Sequence, residues 1–147
     1  MLTAKSKIAP IKTKTIPKLE LCAATLGAKL VSKVSKTLKI FKIYCWVDAK
    51  VVLAQIQSAS DRQDVFTKNR VSTIRSLTSP NCWRHVGTKE NPADLVSRGT
   101  TAVELKNSSL YWHGPTWLFM GEDSWPDAPK VLAVGRTPHH QKYCKLL

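Results

Sequence analysis

At 147 residues the chain suits one compact domain with a real core and is too short for two to be expected. Its 23 Lys and Arg against 10 Asp and Glu leave a net charge of +13, spread along the sequence, which points to a polyanionic partner such as nucleic acid, although ribosomal, chromatin and membrane-surface proteins share that balance. No apolar run approaches the roughly 18 residues that cross a bilayer, and the opening MLTAKSKIAPIKTK lacks the apolar stretch of a secretory signal, so an intracellular protein without a membrane partner is expected, cytoplasmic or nuclear being left open.

The first fifteen residues mix Lys with Ile8, Pro10 and Ile11 and read as an extended, partly strand-like lead-in, with Lys5, Lys7, Lys12 and Lys14 facing solvent. Pro17 then opens a helix to about Leu38, since proline near a helix start loses no hydrogen bond and Leu19, Ala23, Leu26, Leu30 and Val34 recur at helical spacing. Ile40 to Val47 is β-branched or aromatic, with Ile43, Cys45 and Val47 alternating against Lys42, Tyr44 and Trp46, and reads as a central strand ending at Asp48. Lys50 to Gln57 reads as a helix, Ser58 to Asp64 as a loop, and Val65 to Leu77 as a helix carried by Phe66, Val71, Ile74 and Leu77.

Ser79-Pro80-Asn81 breaks that helix, Cys82 to Val86 resembles a short strand, and the polar Gly87 to Asn91 leads to Pro92 at the start of another short helix. Such alternation predicts an α/β sheet with helices packed on it. Thr100 to Lys106 forms a helical turn in this reading, Leu110 to Leu118 a docked aromatic segment, and the remainder a loose tail.

In so basic a chain three carboxylates stand where an α/β fold would bring them together. Glu20 is placed in the first turn of the long helix, Asp48 at the C-terminal end of the central strand, where such sheets commonly hold ligands, and Asp94 in the first turn of the last short helix. Each also has a structural reading: Glu20 and Asp94 as complements to a helix dipole, Asp48 as an N-cap. Together they suit a hard divalent cation, two of which can activate water and stabilise the leaving oxygen in phosphodiester cleavage.

Six blocks occur in order: AKSKIAP, TIPKLELCAATLGAKL, CWVDAKVVLAQI, FTKNRVSTI, WRHVGTKENPADLVSRG and YWHGPTWL. From Ala4 to about Leu118 this series resembles the RNase H region of Pao (BEL/Pao) retrotransposon polyproteins. The resemblance implies an RNase H-like mixed sheet flanked by helices and hydrolysis of the RNA strand of RNA–DNA hybrids during reverse transcription. It implies Mg²⁺ or Mn²⁺ held by Glu20 of PKLEL, Asp48 of WVDA and Asp94 of NPAD, which would be both the metal ligands and the catalytic acids. The other segments of such a polyprotein, reverse transcriptase and integrase, would be its partners.

Two departures qualify the resemblance. The family's first catalytic Asp belongs to a strand preceding AKSKIAP, which here follows Met1 almost at once, so an N-terminally truncated domain lacking its first strands and impaired in cleavage is expected; Ala49 also stands where the family usually has Ser. Hence residues 1–99 are expected to form a partial RNase H-like domain, 100–118 an aromatic extension, and 119–147 a tail of unknown structure. The alternative is a non-catalytic nucleic-acid-binding module or relic fragment of the retroelement.

Lys29, Lys33 and Lys36 line one side of the long helix and suit phosphate contacts along a hybrid, or simply a solvated face. Trp46 and Trp83 fall on strands and belong to the core, leaving Trp112 and Trp117 for base stacking. His85 reads as structural, with proton transfer near the metals as the alternative. Cys22, Cys45, Cys82 and Cys144 form no C-x-x-C pair and read as reduced, mostly buried thiols, and Cys82, His85, His139, His140 and Cys144 match no standard zinc spacing.

Overall fold

The computed structural model describes residues 2–9, 14–58 and 63–126 together with the backbone of 143–146. Residues 2–9 are exposed and belong to neither helix nor strand, so the strand expected ahead of the long helix is absent among them. Pro10, Ile11 and Lys12 lie outside the described residues, as do His139 and His140.

Helix α1 spans Ile16–Leu38, with Pro17 at its second position and Lys39 ending it in a left-handed conformation (φ 52°). It buries Leu21, Ala24, Ala28 and Val31 with Ser32 and Ser35. This corrects the expected stripe: Leu19, Leu26, Leu30 and Val34 are only half-buried and Ala23 is exposed. The helix is apolar around more than half its circumference, so periodicity left the phase open. The face with the small Ala24 and Ala28 turns inward, where it permits a close approach to its neighbours.

Strand β1 (Lys42–Val47) is followed by α2 (Lys50–Gln57), α3 (Val65–Leu77) and β2 (Trp83–His85). Asp64 caps α3, its carboxylate accepting the backbone N–H groups of Phe66 (2.9 Å) and Thr67 (3.2 Å). β1 runs parallel to β2, with Cys45 beside Trp83 and Val47 beside His85. β3 (Tyr143–Leu146) lies parallel along the other edge of β1, giving the order β2-β1-β3. The α/β class and the central strand thus hold. Every strand pair among the described residues is parallel.

Alternation along β1 sends its side chains into two cores. Ile43, Cys45 and Val47 join the core formed by α1, α2, α3 and Trp83. Tyr44 and Trp46 enter a second, aromatic core with Val86, Trp117, Leu118 and Trp125. After the short helices α4 (Ala93–Arg98), α5 (Ala102–Asn107) and α6 (Ser109–His113), the chain folds back to supply that second layer. The docked aromatic segment was expected, but the packing of the following residues was not. Trp125 is buried edge-on against Tyr44 (4.8 Å between ring centres), and Glu122 accepts a hydrogen bond from Lys42, which raises the Lys42 pKa to about 12.

Candidate active site

Glu20 lies in the second turn of α1 rather than the first, because the helix begins at Ile16, and it is half-buried beside the fully buried Leu21. The dipole explanation for Glu20 thereby loses its footing. Asp48 follows β1 directly. It does not cap α2: Ala49 occupies the N-cap position and no side chain caps that end, so the carboxylate is not committed to the helix. Its main-chain carbonyl instead meets His85 Nε2 at 3.2 Å across the β1–β2 pair, in keeping with a structural His85.

Asp94 sits in the first turn of α4, as expected. The buried Asn91 prepares this turn, its side-chain oxygen accepting the Ala93 N–H (3.2 Å). One turn on, Arg98 donates to the Asp94 carboxylate at 3.0 Å. Neither Asn91 nor Arg98 stood out in the sequence as a site residue, although the Asp94-to-Arg98 spacing of four is a legible helical pair.

The three acids come from three separate elements yet share one electrostatic neighbourhood. Burial raises the pKa of Glu20, and the charges of Asp48 and then Asp94 raise it further. Asp94 is raised first by burial and next by Asp48, which also lies within its hydrogen-bond reach, against the opposing pull of Arg98. Like charges held close together favour the protonated forms of Glu20 and Asp94, and the Arg98 guanidinium offsets this only in part at Asp94.

Oxygen-only donors with surplus negative charge match the chemistry of Mg²⁺ or Mn²⁺. As they stand, however, no group of three or more His, Cys, Asp or Glu among the described residues is gathered into a set that could hold a metal ion. The donors fit such an ion in kind, and Glu20 and Asp94 both feel the charge of Asp48.

Lys29, Lys33 and Lys36 are exposed, as expected. At about 100° per residue they lie roughly 160–220° around α1 from Glu20, so they do not join the acids on one face. Trp117 is buried, which removes it from base stacking, its indole N–H donating to Glu90 at 2.8 Å; Trp112 remains 43% exposed. A second cationic group was not anticipated: Lys14, Lys18 and Arg70 surround the Phe66 ring, with the Arg70 guanidinium 3.3 Å from its centre.

No helix among the described residues is long and apolar enough to cross a membrane. No curated protein and no solved structure matches the chain. Residues 1–49 match the family described as the Pao retrotransposon-like RNaseH-like domain. That segment, a third of the chain, carries both Glu20 and Asp48, and through it the chain is similar to the Pao retrotransposon RNase H-like domain.

Proposed function

We propose that this domain has an RNase H-like fold and derives from an enzyme that hydrolyses the RNA strand of RNA–DNA hybrids, with Glu20, Asp48 and Asp94 as its acids. The observation that carries the reading is the convergence of these carboxylates from α1, the end of β1 and α4 on one region, each of Glu20 and Asp94 held above its ordinary pKa partly by Asp48. A pair of Mg²⁺ or Mn²⁺ ions bound there would supply activation of water and stabilisation of the leaving oxygen. The chain's part is to hold those ions: Asp48 stands at the strand end without capping α2, His85 steadies its main chain, and Arg98 neutralises Asp94 until a cation competes for it.

The net charge of +13 attracts a polyanion before any specific contact forms. Lys29, Lys33 and Lys36 belong to that general attraction, since their side of α1 is not the side of Glu20. Reverse transcriptase and integrase segments of a polyprotein are the partners this reading implies.

Two observations favour a second reading, a nucleic-acid-binding module without cleavage: the lack of a gathered metal-holding set among the described residues and the Arg98 contact on Asp94. Purified chain should be incubated with labelled RNA–DNA hybrid and Mg²⁺ or Mn²⁺, beside Asp48→Asn, with hybrid binding measured in parallel. Metal-dependent cutting lost in Asp48→Asn supports the enzyme. Binding without cutting supports the module, and cutting that survives Asp48→Asn overturns the assignment of the site.

A further inference from the structure

We propose that Cys45 and Cys82 form an oxidisable dithiol, which a peroxide converts into a disulfide stapling β1 to the segment that enters β2. Neither is in a disulfide, and their sulfurs lie 4.0 Å apart, in hydrogen-bonding contact. Cys45 is fully buried in the middle of β1, whereas Cys82 is partly exposed at the head of β2 and packs against the same core.

The backbone places the pair suitably. Cys45 is the register partner of Trp83, so Cys82 lies one residue along the adjacent parallel strand. Strand spacing and rise then put the two Cα atoms about 6 Å apart, inside the range that disulfides span. Closing the remaining sulfur gap requires side-chain rotation without a change of register.

The two thiols differ in the way such a reaction needs. Cys82 can meet a small oxidant from solvent, while Cys45 cannot. The Cys45 hydrogen bond favours the Cys82 thiolate and holds its pKa below the ordinary thiol value, against the opposing effect of burial. The Cys82 thiolate attacks the peroxide O–O bond, giving Cys82 sulfenic acid and hydroxide. The Cys45 sulfur then attacks the sulfenic sulfur, the S–S bond forms, the S–O bond breaks, and the Cys45 proton leaves with the hydroxyl as water. Two thiols and one hydrogen peroxide become one disulfide and two waters.

The staple would sit three residues before Asp48 and three before His85, on the two strands joined by the contact of His85 Nε2 with the Asp48 carbonyl and by the Val86 N–H to Val47 carbonyl bond (3.0 Å). Oxidation therefore stiffens the strand pair that presents Asp48, whatever chemistry Asp48 performs.

The test treats reduced full-length chain with hydrogen peroxide, alkylates the remaining thiols and maps linked peptides by mass spectrometry, beside Cys82→Ser and Cys45→Ala. Expected are a Cys45–Cys82 linked peptide, loss of two of the four thiols, and a rise in Tm that dithiothreitol reverses. In Cys45→Ala the Cys82 sulfenic acid should persist long enough to be trapped by dimedone, and Cys82→Ser should keep Cys45 reduced. Linkage of either residue to Cys22 or Cys144, over-oxidation of Cys82 in the unmodified chain without a link, or an unchanged Tm after linkage would overturn the proposal.

Discussion

Glu20 is resisted in its charged form by burial and by two neighbouring carboxylates, so its folded pKa lies above the unfolded value near 4.5. A group raised in this way leaves stability intact below about pH 4.5 and withdraws it as pH rises through the folded value. Glu20→Gln should therefore unfold at a higher temperature than the parent at pH 7, by less than about 1 kcal/mol because the side chain is half-exposed and screened. The advantage should vanish near pH 4. Asp48→Asn removes a charge that acts on both other acids, so NMR titration should show the midpoints of Glu20 and Asp94 falling together. Midpoints that do not move would contradict a shared site.

Capping sets the elements around that site, and two helix ends carry tests of their own. Lys39 terminates α1 at φ 52° with its N–H on the Ser35 carbonyl, a conformation that costs an L-residue about 1 kcal/mol or more and a glycine almost nothing. Lys39→Gly should accordingly stabilise the protein by roughly 0.5–1 kcal/mol in thermal unfolding. Asp64 at the head of α3 behaves oppositely to Glu20. Slight desolvation works to raise its pKa, but the backbone and hydroxyl hydrogen bonds of Thr67 and the Lys18 charge outweigh it, and the net shift is downward. A depressed carboxylate stabilises above its unfolded pKa and loses that contribution as pH falls through the folded value. Asp64→Ala should be less stable than the parent at neutral pH, and the two should converge in acid.

The whole molecule depends on covering both faces of β1. Trp46, Trp117 and Trp125 meet in the aromatic layer at ring-centre distances of 5.4–6.4 Å, so residues far apart in sequence form a single packed unit. Trp117→Ala should cost about 3–5 kcal/mol, the range for removing a buried large aromatic. The cost of Trp117→Ala with Trp125→Ala should fall short of the sum of the single changes, since each vacates a space the other lines. Strict additivity in denaturant melts would mean that the two indoles do not pack together.

The sequence by itself determined the helices from Lys50 to Gln57 and from Val65 to Leu77, the strand ending at Asp48 and the turn before Asp94, because breakers, caps and alternation act between near neighbours. It also marked Glu20, Asp48 and Asp94 by their scarcity and by the blocks that carry them. Tertiary structure alone decided which side of α1 faces inward, since Leu19, Leu26 and Leu30 are as apolar as Leu21 and Val31, and only the small Ala24 and Ala28 fit the approach of neighbouring elements. The same was true of Trp125 and Glu122, whose partners Tyr44 and Lys42 lie about eighty residues earlier. The separation of Lys29, Lys33 and Lys36 from Glu20 became decisive only once the helix had been oriented against the sheet. Local propensity reads contacts a turn or a strand away, and where each face and each charge ends up is settled by packing between distant segments.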